Sequence, residues 1–288
     1  MKTAMLVINP RSGKGRAPAI QATAERLATE LGFALDVRTV TGPGHGKILA
    51  EEAIAKGIDR VISAGGDGTL NTVASGLVDT KTPLAIVAMG SGNGYARSLK
   101  LPLDPEKAVR RALTGTPAVM DVCYLNDMLF LGTAGIGFDA RVAWQFDKSK
   151  GRGMWNYMRI ILQDILSAEP MRVVVKANHE TTEHRVLMMV FCNTREFGNG
   201  AIISPGSAPD DGLAELQLVS KPALLPLMKA FYDVYTNRAD RNKNVRTLVG
   251  REAQVYQEGT LAHLDGEPVE IGHEVRFRLE PKRLWVVR

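Results

Sequence analysis

Apolar positions along residues 1–120 fall into two rhythms that take turns. Short apolar-rich runs at Met5–Asn9, Phe33–Val40, Arg60–Ala64 and Leu84–Ala88 read as strands. Between them, apolar residues recur at helical spacing over Ala17–Leu31, Lys47–Lys56 and Leu70–Leu77. Asp104–Leu113 closes the series as a helix, with Asp104 as N-cap, Pro105 at the first helical position and Gly115 as the stop. Such alternation specifies a layered α/β domain. From about Ala118 the rhythm changes. Met171–Ala177, Arg185–Cys192, Ala214–Val219, Gln254–Gln257 and Val275–Leu279 read as strands, with Asn126-Asp127 and Asn178-His179 as hairpin tips. Helical spacing returns only near Met154–Ala168 and Pro222–Asn237. The pattern predicts an N-terminal α/β domain over residues 1–120. A β-rich domain follows over 121–288, its final strand able to return to the first.

Composition narrows the class without choosing a function. With 45% hydrophobic residues over 288 positions the chain can bury two cores, which excludes a disordered or collagen-like protein. Cys123 and Cys192 are too few for a disulfide framework or a cysteine-based zinc site, and they fit a reducing compartment. The opening run Ala4–Ile8 is too short for a secretory signal, and no stretch reaches the 18 apolar residues of a transmembrane helix. The expected location is therefore cytoplasmic, with any membrane contact peripheral. A net charge of +5 is compatible with nucleic acid, an anionic membrane or a phosphorylated small molecule.

Glycines cluster where the strands of the first half end. Asn9-Pro10-Arg11-Ser12-Gly13-Lys14-Gly15 follows the first, Gly65-Gly66-Asp67-Gly68-Thr69 the third, and Gly90-Ser91-Gly92-Asn93-Gly94 the fourth. In a parallel sheet these loops share the carboxyl edge, where backbone N–H groups and helix N-termini cradle phosphate. A single cluster would be an ordinary tight turn; three at successive strand ends point to a phosphate site. It is not a Walker loop, because Gly13-Lys14 lacks the upstream glycine and the following Ser/Thr. Gly135-Ile136-Gly137-Phe138-Asp139-Ala140 matches a dinucleotide fingerprint by its letters, but it stands in the β-rich half. The five histidines show no compact ligand spacing and read as surface or core residues, although His45 lies near the proposed edge.

Taken in order, these motifs resemble the diacylglycerol-kinase catalytic-domain family of lipid kinases, which includes soluble bacterial diacylglycerol and phospholipid kinases and the sphingosine and ceramide kinases. Asn9-Pro10-x-Ser12-Gly13, Gly65-Gly66-Asp67-Gly68-Thr69-Leu70-Asn71 and Gly90-Ser91-Gly92-Asn93 match its first three motifs. Asp121, Gly135-x-Gly137-Phe138-Asp139, Asp211-Gly212-Leu213 and Leu264-Asp265-Gly266-Glu267 match later ones. The resemblance implies an α/β nucleotide domain and a sandwich-like β domain, with the active site in the cleft between them. It implies an ATP site lined by Asn9, Ser12, Gly13, Thr41, Gly65, Gly66, Asp67, Gly68, Thr69, Ser91 and Asn93. It further implies Mg2+ at Asp67, a second cation at Asp211 with the carbonyls of Ala208 and Leu213, and Asp265 as general base with Glu267 beside it. A lipid presented at a membrane is the implied partner; nucleic acid is not, and a homodimer is allowed.

The physics is compatible with those roles. Phosphoryl transfer rests on alignment and charge neutralisation, and magnesium asks for carboxylate oxygens beside the phosphates. A carboxylate is a weak base toward an alcohol, so Asp265 is expected to orient the hydroxyl and take its proton late. By its dipeptide alone, Asp265-Gly266 is an ordinary hairpin turn. Two departures from the family pattern matter: Thr72 and Gly94 stand where many members carry carboxylates. Residues 141–159 carry five basic side chains against Asp147, interleaved with Trp144, Phe146, Trp155 and Tyr157, which suits either a headgroup-level contact or a packed core with a solvated face. Two alternatives stay open, namely a soluble-substrate kinase of the NAD kinase type and a degenerate kinase that binds nucleotide or lipid as a regulator.

Overall fold

A computed structural model of the chain describes residues 1–149, 154–221, 229 and 232–288. They form two compact units, Met1–Met120 with Lys282–Arg288, and Asp121–Pro281.

The first unit runs β1 (Lys2–Ile8), α1 (Ala17–Glu30), β2 (Phe33–Thr39), α2 (His45–Ala55), β3 (Val61–Gly65), α3 (Asp67–Ser75), β4 (Leu84–Ala88), α4 (Gly94–Ser98) and α5 (Pro105–Thr114). Its strands lie in the order β2-β1-β3-β4, all parallel. The last residues of the chain add a further parallel partner, with Val286 opposite Leu84. The centre of β1 and most of β3 and β4 are fully buried, as expected of a parallel sheet covered on both faces. Ile20, Ala24, Leu27, Val109 and Leu113 press the α1 and α5 stripes onto one of those faces. The predicted cap of α5 is present: Asp104 Oδ1 accepts from Lys107 N at 3.0 Å. At its other end Arg60 donates to the carbonyls of Ala112 and Leu113, placing a cation on the negative pole of the helix. The third helix starts at Asp67 rather than Leu70. Its polar first turn carries no apolar periodicity, which is why the pattern alone places its start too late.

After α5 the chain runs β5 (Pro117–Leu125), β6 (Met128–Phe130), β7 (Thr133–Gly137), α6 (Phe138–Lys148), α7 (Met154–Asp164), β8 (Met171–Ala177), β9 (Glu180–Val186), β10 (Met188–Cys192), β11 (Glu196–Gly198), β12 (Ala201–Ile202), β13 (Ala214–Val219), β14 (Val245–Gly250), β15 (Glu252–Gln257), β16 (Leu261–Leu264), β17 (Glu267–Glu270) and β18 (Glu274–Val287), with β5 beginning and β18 ending in the first unit and the rest in the second. One antiparallel sheet runs β14-β13-β10-β7-β16-β17, and β18, β15, β8 and β9 pair in a second. Alternate residues of both, among them Val173, Val175, Val255 and Phe277 with Ile136, Met189, Phe191 and Leu216, share a single core. This is sandwich packing.

Both predicted hairpin tips are turns with positive φ, at Asn126-Asp127 and at Asn178-His179. The strand expected over Arg185–Cys192 is instead two. Leu187 is the crossing point: β9 pairs with β8 in one sheet and β10 with β7 and β13 in the other. A strand that changes sheets keeps its apolar run unbroken, so periodicity cannot see the break. Helix α6 also goes unpredicted, because the chain enters it straight from β7 through Gly137 at φ 95°, with no polar cap. Most of the expected helix at Pro222–Asn237 lies outside the described residues; Lys229 and Tyr232–Tyr235 are helical. No helix among the described residues is long and apolar enough to cross a membrane.

Asp104→Ala is expected to cost about 1 kcal/mol, the usual value of an N-cap side chain, read as a lower urea midpoint with unchanged slope.

Candidate active site

Strands β1, β3 and β4 are adjacent and parallel, so the three glycine loops leave one edge side by side. Hydrogen bonds lace them together. Asn9 Nδ2 donates to Thr69 Oγ1 at 2.8 Å, joining the first loop to the second. Asn93 N donates to Asp67 Oδ2 at 3.0 Å and Met89 N to Gly65 O at 2.7 Å, joining the second to the third. Arg16 closes the ring, donating from Nε to Gly13 O and from Nη2 to Met89 O. The loops after β3 and β4 come so close that a Cβ on Gly90 would lie 2.9 Å from the Gly66 Cα and 2.8 Å from Asn93 Oδ1. Only glycine fits there.

Asn9, Gly13, Gly65, Gly66, Asp67, Gly68, Thr69 and Asn93 are thus brought together, with Ser12 and Ser91 on the same loops. Thr41 follows β2 on the neighbouring strand end, where its amide donates to His45 Nδ1 at 3.1 Å. That contact accounts for His45. Gly66 caps α3 and Asp67 is its first residue, so a carboxylate stands at the positive pole of a nine-residue helix. Magnesium typically takes one or two carboxylates and completes its shell with water and substrate phosphates. Asp67 fits that donor set, and no cage of three or more acidic, histidine or cysteine side chains occurs among the described residues. Thr72 Oγ1 turns back to donate to Thr69 O at 3.0 Å, and Gly94 is buried as the first residue of α4. Neither position supplies a carboxylate.

In the second unit, Asp265 and Gly266 are the two-residue tip of the β16–β17 hairpin, with φ of 51° and 87° and Leu264 paired to Glu267. The Asp265 side chain does more than turn the chain. Its Oδ2 accepts from Leu131 N at 2.9 Å, and its Oδ1 from Gly132 N at 2.7 Å and Thr133 N at 3.2 Å. Its own amide donates to Thr133 O at 2.8 Å. Glu267 opens β17. Ala208, Asp211 and Leu213 lie along a separate turn that Asp121 clamps, its buried carboxylate accepting from Gly212 N at 2.7 Å. Asp211 Oδ1 accepts from Leu213 N. Nearby, Glu215 accepts from the Ser207 hydroxyl, and burial raises its pKa.

A buried polar pair without an assigned role includes His263, two residues before Asp265. His263 is a core histidine whose Nε2 is 3.2 Å from Asp139 Oδ2, both side chains being almost fully buried. Asp139 ends a motif that the sequence displays, but nothing in the spacing announces a partner 124 residues away. Cys123 is a bystander: burial, then the charges of Asp121 and Asp265, push its thiol pKa up and keep it unreactive.

Known proteins give this arrangement a family. Residues 3–125 match the diacylglycerol kinase catalytic domain, and residues 132–288 match the YegS C-terminal NAD kinase beta sandwich-like domain. The chain belongs to the diacylglycerol kinase catalytic-domain family, in its YegS-like branch. A "Probable lipid kinase YegS-like" protein of Pectobacterium atrosepticum is 31% identical over 86% of this chain and 84% of its own. Its namesake in Chromohalobacter salexigens is 30% identical over 91% and 86%. Among solved structures, a diacylglycerol kinase from Bacillus anthracis str. Sterne shares the fold with a TM-score of 0.80, at 21% identity over 99% of this chain and 96% of that one. The chain is accordingly a kinase.

Gly90→Ala is expected to push the second and third loops apart. ATP affinity measured by calorimetry should fall on the order of tenfold, about 1.4 kcal/mol, and the thermal midpoint should fall with it, because the clash is with backbone.

Proposed function

We propose that this protein transfers the γ-phosphoryl group of ATP to a hydroxyl of a membrane-derived lipid of the diacylglycerol, phosphatidylglycerol or sphingoid type. The laced loop edge carries the reading. Its convergent amides and the α3 N-terminus suit a polyphosphate, and Asp67 would hold a magnesium ion that neutralises charge on the β- and γ-phosphates. A second cation would take Asp211 with the carbonyls of Ala208 and Leu213. In the transfer, the acceptor oxygen forms a bond to Pγ and the bond from Pγ to the bridging oxygen breaks. ADP leaves, and the hydroxyl proton passes to Asp265. Three backbone donors stabilise the charged form of a carboxylate, so the role that suits Asp265 is to orient the hydroxyl and take the proton late. The names of the relatives, lipid kinase and diacylglycerol kinase, support a lipid acceptor.

Membrane access is part of the same proposal. Trp155 is 90% exposed, Leu162 57% and Leu166 60%, and their spacing of seven and four places them on one side of α7 and the turn after it. Exposed Tyr232 and Tyr235 belong to a neighbouring segment, the Tyr235 hydroxyl donating to Met158 Sδ. Elsewhere in the basic stretch the aromatics pack: Phe146 meets Tyr157 edge-on at 5.6 Å, and Lys148 covers the Trp144 ring at 4.7 Å. Lys150 and Arg152 lie outside the described residues. Apolar and aromatic groups flanked by Arg159 and Lys221 suit a shallow contact with anionic headgroups.

Radiolabelled ATP offered with diacylglycerol, phosphatidylglycerol, sphingosine, ceramide or NAD tests the acceptor class. Label is expected in a lipid; label in NAD alone points to a soluble-substrate kinase, and nucleotide binding without transfer points to a regulator. Asp265→Asn is expected to lower turnover by about 10²–10⁴-fold while ATP affinity is retained, and near-normal turnover excludes the base role. Replacing Trp155 and Leu162 by Ala should weaken partition onto anionic vesicles by at least about tenfold, since one large apolar anchor is worth roughly 1.5–3 kcal/mol. Unchanged co-sedimentation removes α7 from the contact.

A further inference from the structure

We infer that Asp139 and His263 are positioning residues for Asp265: a buried carboxylate–imidazole pair that fixes one tautomer of the histidine and, through it, the turn on which Asp265 stands. The inference builds on the role given to Asp265 above.

His263 stands two residues before Asp265 on β16, buried on the strand face opposite the core residues Ala262 and Leu264, and Gly266 N donates to its Nδ1 at 3.3 Å. An amide can only donate, so Nδ1 is the lone-pair nitrogen. In the neutral ring Nε2 then carries the proton and donates it to Asp139 Oδ2 at 3.2 Å. One tautomer satisfies both contacts. The other sets N–H against N–H at Gly266 and turns a lone pair toward a buried carboxylate. The doubly protonated ring keeps Asp139 but leaves the Gly266 amide without its acceptor.

The surroundings are shaped to this pair. Asp139 Oδ1 accepts from Ala140 N at 2.9 Å, which aims Oδ2 at the ring. Gly135 faces His263 across the β7–β16 ladder, and a Cβ there would lie 1.8 Å from Asp139 Oδ2 and 2.7 Å from His263 Nε2. The pair fills the space a side chain would need. Phe197 lies against the imidazole, with ring centroids 6.1 Å apart. The turn is therefore held from two sides: Asp265 by the amides of Leu131, Gly132 and Thr133, and Gly266 by His263. Small displacements of a group that aligns a reacting atom are costly, on the order of 100-fold for 1 Å, so the second tie bears directly on turnover.

Two measurements on the full chain test this. The 15N shifts of the His263 ring, assigned by comparison with His263→Asn, report the tautomer without reference to activity. The Nε2–H form is expected; an Nδ1–H or doubly protonated ring at neutral pH overturns the inference. Kinetics with ATP and diacylglycerol in mixed micelles then use Asp139→Asn and His263→Asn. The first lets the amide present N–H to Nε2 and favours the wrong tautomer. The second keeps an acceptor near Gly266 but loses Asp139. Both are expected to lower kcat by roughly 10–100-fold with the KM for ATP unchanged, and His263→Asn is expected to retain more activity than His263→Ala. Folded variants with wild-type kcat overturn the inference, folding being judged by the thermal midpoint. A wild-type protein that phosphorylates no lipid sinks the acceptor reading instead, and the nitrogen shifts still decide the pair.

Discussion

The spacing between neighbouring parallel strands constrains everything at the glycine-loop edge. Strands β3 and β4 run in register, Gly65 opposite Ala88, so the chain leaves both at the same level about 4.8 Å apart. Two loops that start so close cannot both carry side chains toward each other. Gly66 and Gly90 relieve the crowding, and the same closeness lets Asp67 reach the amide of Asn93. The glycines are thus first a packing solution, and second what lets Asn93 N reach Asp67. Both properties come from one geometric fact.

Local turn chemistry and the placement of a carboxylate coincide at Asp265 for a related reason. A two-residue hairpin with both residues at positive φ favours Asp-Gly, and that tip carries an acidic side chain out of the β16–β17 ladder. The amides of the β6–β7 connection then receive the carboxylate. An ordinary turn and a placed carboxylate are therefore the same object.

Much of this was legible in the sequence where the signal is local. Short apolar-rich runs announce β1–β4, the Asp104-Pro105 pair announces α5, and the Asn-Asp and Asn-His pairs announce two hairpins. The clustered glycines mark where the strand-end loops gather, but not how they are laced, because Asn9 meets Thr69 across 60 residues. The same limit hides the partnership of Asp139 with His263. It also hides the switch at Leu187, where a continuous apolar run serves two sheets in succession. Periodicity records which residues are buried, not what they are buried against.

The strand β18 carries a different kind of consequence. Its early residues Val275 and Phe277 pack into the sandwich core, whereas Val286 pairs with β4 and Val287 joins the core beneath α1 and α5. A ribosome making this chain from the amino terminus releases β1 to β4 long before the strand that completes their sheet. Until the final residues emerge, the edge of β4 is unpaired and part of its apolar core is open to water or to a chaperone. The first unit is thus begun before the second and completed after it.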